Sequence, residues 1–174
     1  MENMQNNHNA GHASEHGTHN PKHASGMYKR FAVMAVAMFA VMYFIMYAMI
    51  DEWQNLIPNI NNLYMTLLMT SAMLLIELVV MKVMYPNRKM NWAIAIISVA
   101  VGIFSWFGIR EQINVVDKQF AKGMIPHHAA AILMSEKAKL TDPELIQLQK
   151  NILETQAEEI ELMKRKLKEF EESK

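Results

Sequence analysis

A group of thioether and imidazole side chains in the C-terminal third of the chain is suited to binding a soft metal ion. Met124 lies three residues before His127 and four before His128, so it neighbours both histidines if the segment is helical. Pro126 lacks an amide hydrogen and disfavours helical geometry at the residue before it, which predicts a bend beside the histidines. Thioether sulfur favours Cu(I), and imidazole accepts both oxidation states of copper. These residues predict a copper site; the alternative is a solvated helix kink with methionine used only for packing.

A second set of donors follows further along the chain. Gln156, Glu159 and Met163 are spaced three and four residues apart and therefore share one face of a helix. If the two segments form an antiparallel hairpin that turns near residues 141–142, their equal rise per residue sets which positions are level. The expected level pairs are His127 and His128 with Thr155 and Gln156, Met124 with Glu159, and Phe120 with Met163.

The hairpin is predicted from a change in composition, because the last third of the chain is rich in charged side chains at helical spacing. Thr141 and Glu144 have the spacing of a capping box, and Pro143 would fall in the first turn of a helix. Helices over residues 111–139 and 143–172 follow from this. Two helices alone bury little apolar surface, so we expect the hairpin to complete a bundle with another copy of itself or with the membrane part of the chain, and oligomerisation is the leading expectation.

Three apolar segments precede the hairpin, at residues 31–50, 63–84 and 92–109. Each is long enough to cross the hydrocarbon core of a bilayer. Glu77 carries a charge near the middle of the second segment, but the surrounding Leu, Ile and Val residues outweigh its cost of insertion. A cleaved signal peptide is the competing interpretation of the first segment, which its length disfavours. The sequence therefore predicts three transmembrane helices.

The distribution of Lys and Arg predicts how these helices are oriented. The connection at residues 51–62 has no basic side chain, whereas the flank before the first segment and the surroundings of the connection between the second and third segments are basic. Basic residues that follow the third segment count the other way without reversing this balance. Because basic flanks stay on the cytoplasmic side, we expect the N-terminus inside the cell and the hairpin outside. The basic residues concerned are Lys22, Lys29, Arg30, Lys82, Arg88 and Lys89.

Composition narrows the class of protein further. Lys and Arg number 17 and Asp and Glu number 17, so no excess of positive charge is present to bind nucleic acid. Cysteine is absent, which excludes disulfides, thiolate metal sites and cysteine catalysis. We expect an all-α fold in three parts. These are a disordered His-rich tail at 1–27, a transmembrane region at 28–110 and the extramembrane hairpin at 111–174.

The run Met-Ile-Pro-His-His at residues 124–128, in its setting, resembles the signature of the bacterial domain-of-unknown-function family numbered 305. The helix that contains Gln156, Glu159 and Met163 is similar to the second conserved block of that family, and the resemblance covers about residues 111–170. Family members are ferritin-like helical bundles, several of them exported and linked to copper binding and tolerance. The resemblance implies as ligands Met124, His127, His128, Met134 and Met163, with Asp117, Gln156 and Glu159 as supporting polar positions.

The resemblance implies no enzymatic activity, and it implies a copper-binding protein in the cytoplasmic membrane of a bacterium. One departure concerns Ala129, which stands where family members often have Gln, so a polar contact beside the site is in doubt. A di-iron enzyme of the ferritin-like type would need Glu-x-x-His pairs, and the sequence has none.

Two further features lie outside this resemblance. The tail histidines recur every three or four residues and would share one arc if metal made the tail helical, so the tail either gathers metal or is an uncommitted polar segment. Methionine recurs at the same spacing in the first two apolar segments, where a thioether path for Cu(I) competes with ordinary helix packing, which the sequence favours. The tail residues are His8, His12, His16, His19 and His23, and the path residues are Met38, Met42, Met69, Met73 and Glu77.

The leading hypothesis is a membrane-anchored protein that binds copper, preferably Cu(I), for sequestration, handover or tolerance. Its expected partners are membrane lipid, copper ions and further copies of the chain. The alternative is a copper transporter, because three spans and the spacing of Met65, Met69 and Met73 are similar to the Ctr-type copper importers. Against the transporter, Gly102 and Gly108 have the wrong interval for a Gly-x-x-x-Gly contact, and the predicted topology is reversed.

Overall fold

A computed structural model describes residues 21–173, and over this range the chain is entirely helical apart from turns and connections. The predicted all-α fold is confirmed. The described residues form five α-helices, with a short 3-10 turn at Trp53–Asn55 between the first two. The helices are α1 (Pro21–Ile45), α2 (Ile60–Val80), α3 (Arg88–Arg110), α4 (Asp117–Lys137) and α5 (Pro143–Glu172).

Three of these helices are long and apolar enough to cross a membrane, as predicted. The first of them differs from expectation at both ends. α1 begins at Pro21, so residues 21–27, which were assigned to the disordered tail, are helical. Proline is well suited to the first turn of a helix, and Met27 packs against the apolar cluster of Phe31, Leu78 and Tyr85. α1 ends at Ile45, five residues before the predicted end, and the chain then turns so that the Tyr47 hydroxyl donates to the carbonyl of Ile57 at 3.1 Å.

α2 and α3 pack closely because small residues line their contact. A Cβ atom on Gly102 would lie 2.9 Å from the Ser71 hydroxyl, and one on Gly108 would lie 3.0 Å from ring atoms of Tyr64. Ser98 and Ser105 are buried in the same interface. Small side chains allow two backbones to approach, which is how helices associate in lipid, where burial of apolar surface gives no driving force.

Glu77, the charged residue of α2, has a specific partner. The Tyr85 hydroxyl, in the connection that follows α2, donates to Oε1 of Glu77 at 2.9 Å. The sequence left the partner of Glu77 open, and the structure shows that it is a tyrosine beyond the end of the helix. Tyr85 is itself buried against Phe31 and Leu78, so this hydrogen bond lies beside the apolar cluster that joins α1 to α2.

α4 and α5 form the predicted antiparallel hairpin, with boundaries that differ in two places. α4 begins at Asp117, not at residue 111, because Gln112 and Asn114 adopt left-handed conformations with φ of 49° and 59° that form a turn after α3. Asp142, not Thr141, caps α5, since its side chain accepts from the amides of Glu144 and Leu145 at 3.0 Å. α4 passes through Pro126 as one continuous helix, and the bend beside the histidines stays a prediction.

The hairpin rests on the connection between α1 and α2. Its buried core includes Ile125 and Ile160, and Ile50 and Ile57 of that connection pack against the same core. The side chain of Gln119 on α4 accepts from the backbone amide of Ile60, the first residue of α2, at 3.3 Å. The hairpin and the connection of residues 51–62 therefore lie at the same end of the membrane helices, as a three-span topology requires.

Candidate metal site

His128 is the buried polar residue of the hairpin, with 7% of its surface exposed. Its Nδ1 lies 2.9 Å from the backbone carbonyl oxygen of Met124, and its Nε2 lies 2.7 Å from Oε2 of Glu159 on α5. A carbonyl oxygen can only accept a hydrogen bond, so Nδ1 carries a proton and donates it. This fixes the orientation of the ring and points Nε2 at the carboxylate of Glu159.

The register of the hairpin differs by about one turn from the predicted one. Gln156 was expected beside His128, and the structure places Glu159 there. Helical side chains lean toward the N-terminus of their own helix, so in an antiparallel pair the side chains that meet have higher residue numbers than backbone levels alone suggest. The prediction counted backbone rise alone and therefore named the earlier residue on α5.

The corrected register brings two methionines to one level. Met124 lies one turn before His128 on α4, and Met163 lies one turn after Glu159 on α5. Because the helices run in opposite directions, one turn back on α4 and one turn forward on α5 reach the same level. Both methionines are half-buried, and Met163 packs against the hairpin core. A pair of thioethers therefore lies next to the imidazole–carboxylate pair.

The remaining predicted residues are placed less closely. His127 is exposed, with its ring centroid 6.3 Å from that of His128, and Gln156 is half-buried. Met134 is 54% exposed and lines an apolar groove with Leu145 and Leu148 near the hairpin turn. Asp117 is exposed in the first turn of α4, about three turns away from His128. The structure therefore does not bring Met134 or Asp117 to His128.

The donor chemistry limits what the site can hold. Among the side chains that the structure describes, those of residues 26–173, no three His, Asp or Glu residues are grouped so that they could hold a metal ion. The other donors on the flank of the hairpin that carries His128 and Glu159 are thioether sulfurs. Imidazole and thioether together are suited to binding copper.

Gln149 on α5 is a residue that sequence reasoning missed. Its side-chain amide donates to the carbonyl of Ser135 and, at 3.3 Å, to that of Ala138, which satisfies the free carbonyls at the end of α4. This contact ties the two helices together close to their turn. The available signal was a glutamine among the apolar positions of α5, which favours a buried amide.

The other predicted metal ligands lie outside the hairpin. The tail residues His8, His12, His16 and His19 fall outside the described residues, and His23 lies in the first turn of α1. In the membrane helices Met38 and Met42 are half-buried, whereas Met69 and Met73 of α2 are 41% and 40% exposed. The two methionine stripes are therefore not fully face to face as the path hypothesis supposed.

A comparison with known protein families finds a match over most of the hairpin. Residues 109–167 match the family described as "Domain of unknown function (DUF305)". The chain is also 34% identical over 137 residues to a protein named "Uncharacterized protein L153" from Acanthamoeba polyphaga mimivirus, a match that covers 75% of this chain and 86% of the viral protein. No solved structure matches the chain. The viral match covers 137 residues, which is more than the hairpin contains, so it also includes residues outside the hairpin.

Proposed function

Since this chain belongs to the DUF305 family, which is named for no activity, we propose its function from the site itself. We propose that it is a membrane-anchored copper-binding protein that sequesters copper or hands it over. Copper is held on the hairpin by His128 and Glu159 together with the thioethers of Met124 and Met163. His127, on the same helix and exposed, is the residue placed to pass the ion on.

The observation that supports the proposal is the fixed orientation of His128. Its Nδ1 is committed to the Met124 carbonyl at 2.9 Å, which leaves Nε2 as the nitrogen that can bind a metal. Second partners of this kind are typical of metal-binding histidines, because they set the tautomer and the direction of the ring. Copper bound at Nε2 lies beside the carboxylate of Glu159, which offsets the charge of the ion.

The surroundings of the pair favour Cu(I) over harder ions. Glu159 has 54% of its side chain exposed, so the flank is open to solvent and an ion can reach it. Met124 and Met163 contribute neutral, polarisable sulfur, which binds Cu(I) and has little affinity for Mg²⁺ or Ca²⁺. Methionine also serves as an adaptable packing residue, so the thioethers are the part of the site that mutation has to test.

The proposal includes a place for the protein in the cell. Three helices are long and apolar enough to anchor it in a membrane. The absence of Lys and Arg from residues 51–62 supports an orientation with the hairpin on the outer face of a bacterial cytoplasmic membrane and the N-terminus inside. In that position the hairpin would meet copper before the ion reaches the cytoplasm.

Cu(I) titration of the full-length protein in detergent, under competition from a chromophoric Cu(I) chelator, tests the proposal. We expect the variants His128→Ala and Met124→Leu/Met163→Leu to bind the hairpin ion at least about tenfold more weakly, equivalent to about 1.4 kcal/mol. Leucine keeps the apolar volume of methionine and removes only the sulfur. X-ray absorption of the wild-type complex should show nitrogen and sulfur neighbours, with the nitrogen lost in His128→Ala.

Met134→Leu is the matched control, because Met134 lies on α4 but in the separate apolar groove. It should bind copper as the wild type does. If His128→Ala keeps both the copper affinity and the nitrogen signal, the hairpin is not the copper site. If Met134→Leu loses copper affinity as strongly as Met124→Leu/Met163→Leu, the assignment of the two thioethers is wrong.

A further inference from the structure

The methionines of α1 lie on one side of that helix. Met38 and Met42 are half-buried, whereas nearby β-branched residues point outward, with Val36 69% and Val41 56% exposed. Lipid-exposed positions are therefore filled with valine and positions that face the protein with methionine. Composition alone does not require this separation, since valine packs between helices as readily as methionine.

The register between α1 and α2 brings the methionines of the two helices to similar heights. Phe31 of α1 lies in the same cluster as Leu78 of α2, and the numbers of these two residues add to 109. Level residues of two antiparallel helices with equal rise keep this sum along the contact. The register sets Met38 level with Ser71 and Met42 level with Leu67, so Met73 and Met69 each lie two residues, about 3 Å, away from the exact level.

The methionines of α2 flank this contact on its open side. Tyr64 and Ser71 mark the face of α2 that packs on α3, since they lie against Gly108 and Gly102. At 100° per residue, Met73 lies about 180° from Tyr64, and Met69 lies about 160° from Ser71. Their partial exposure agrees with a position at the margin of the α1–α2 contact, away from α3. We call the group Met38, Met42, Met69 and Met73 the methionine seam.

A carboxylate lies next to the methionine seam. Glu77 is one turn beyond Met73 on the same face of α2, and it accepts a hydrogen bond from the Tyr85 hydroxyl at 2.9 Å. A monovalent cation held only by neutral thioethers in a membrane would be costly, because nothing nearby would balance its charge. An anionic side chain one turn away supplies that balance without occupying a ligand position.

We propose that the methionine seam is a second binding site for a soft monovalent cation, of the class of Cu(I) and Ag(I), within the membrane region. The thioethers of Met38, Met42, Met69 and Met73 bind the ion, and Glu77 offsets its charge. The flexible methionine side chain lets the sulfurs of Met69 and Met73 turn from the margin toward the ion. The site is independent of the hairpin, because it shares no residue with it and lies within the helices that cross the membrane.

The stoichiometry of Ag(I) on the full-length protein in detergent tests this, because Ag(I) is soft like Cu(I) and does not change oxidation state in the assay. We expect two Ag(I) ions per wild-type chain under moderate competition from a thioether chelator. The seam variant Met38→Leu/Met73→Leu should hold one, the hairpin variant Met124→Leu/Met163→Leu should also hold one, and the combined variant should hold none. Glu77→Gln should release the seam ion at a lower chelator concentration than the wild type.

Met84→Leu/Met90→Leu is the matched control, because both residues are exposed and lie outside the seam. This variant should still hold two ions. A seam variant that elutes as the wild type does and keeps its helical content, yet still holds two ions, would overturn the seam site while leaving the hairpin site intact. If only the hairpin variant fails to lose an ion, the hairpin proposal falls and the seam stands. If the seam variant does not fold, the single variant Met69→Leu replaces it in the test. Ag(I) binding as strong as that of the wild type in Met69→Leu would then also overturn the seam site.

Discussion

The hairpin of α4 and α5 and the bundle of α1 to α3 are both helical, but they are held together in opposite ways. The hairpin buries apolar side chains such as Ile125 and Ile160 and keeps its charged residues outside. The α2–α3 pair buries hydroxyls, among them Thr66 and Ser105, and leaves large apolar side chains exposed. Water drives apolar surface inward, whereas lipid does not distinguish it from its own chains, so the exposed apolar surface of α2 and α3 is the kind that membrane-spanning helices carry.

The comparison also explains where methionine occurs in each region. In the hairpin, Met124 and Met163 lie beside a polar pair at the edge of an apolar core. In the membrane region, Met73 lies one turn before Glu77 on the same face of α2. In both places a thioether lies about one turn from a carboxylate on the same helix. That shared arrangement is what we propose to be the binding chemistry of the protein.

The largest effect is expected from Ile125→Ala. Ile125 is fully buried in the hairpin core, so removal of its side chain leaves a cavity and should cost about 2–5 kcal/mol. Hydrogen exchange of the full-length protein should show faster exchange in α4 and α5. Exchange in α2 and α3 should be unchanged, since their contact does not depend on apolar burial in water.

Val116→Ala serves as the control, because Val116 is exposed just before α4 and should change stability by no more than about 0.5 kcal/mol. Equal loss of protection in the hairpin and in the α2–α3 pair would show that the two regions unfold as one unit, and the contrast between them would then not hold energetically.

A smaller effect is expected from Gly108→Ala, which tests the opposite region. The new Cβ would lie 3.0 Å from three atoms of the Tyr64 ring, so the ring has to move and its hydroxyl hydrogen bond to the carbonyl of Ile113, at 3.1 Å, is strained. We expect a cost of about 1–3 kcal/mol in a mixed-micelle unfolding titration followed by circular dichroism.

Gly26→Ala is the matched control, because nothing lies within 4 Å of a Cβ at Gly26. Alanine there should be neutral or stabilising by about 0.5–1 kcal/mol, as expected for glycine replaced within a helix. If the two substitutions have the same effect, close approach at Gly108 does not hold α2 and α3 together.

The helices themselves could be predicted from the sequence, because their signals are local. Long apolar runs predict spans, and Pro143 with its neighbours predicts the start of α5. The ends of helices were predicted less well, since they depend on distant contacts. α1 ends early where Tyr47 reaches the carbonyl of Ile57, and α4 begins late because Gln112 and Asn114 adopt left-handed conformations. The residues that these features exclude from α1 and α4 carry no sequence signal for the hydrogen bond or for the left-handed backbone.

The candidate site could be predicted in its residue types but not in its pairing. His128 and Glu159 were both named from spacing, yet Glu159 was assigned to Met124, because the lean of side chains along the helix was left out of the register. The carbonyl of Met124 as the partner of Nδ1 could not be read from residue types, since every residue has a carbonyl. Spacing thus identifies donors, and only side-chain geometry shows which of them meet.

At neutral pH the smallest effect is expected at the junction of α1 and α2, where a further effect develops in alkali. Burial, followed by the hydrogen bond to Glu77, raises the pKa of Tyr85 from 10.0 to about 12. Below pH 10 the phenol is neutral in both the folded and the unfolded chain, so its contribution to stability is constant. Between pH 10 and 12 only the unfolded chain loses the proton, so the free energy of unfolding falls as pH rises.

Tyr85→Phe should therefore flatten the loss of thermal stability over this pH range, at the cost of about 1 kcal/mol at neutral pH for the missing hydrogen bond. Val83→Ala, an exposed substitution in the same connection, should leave the alkaline slope as it is in the wild type. Since Glu77 is the charged partner proposed for the methionine seam, Tyr85→Phe should also leave Ag(I) bound there, because a carboxylate that loses a neutral hydrogen-bond donor keeps its charge. If thermal stability falls between pH 10 and 12 as steeply in Tyr85→Phe as in the wild type, another group causes the alkaline sensitivity. The hydrogen bond to Glu77 would then not account for the pH dependence of the α1–α2 junction.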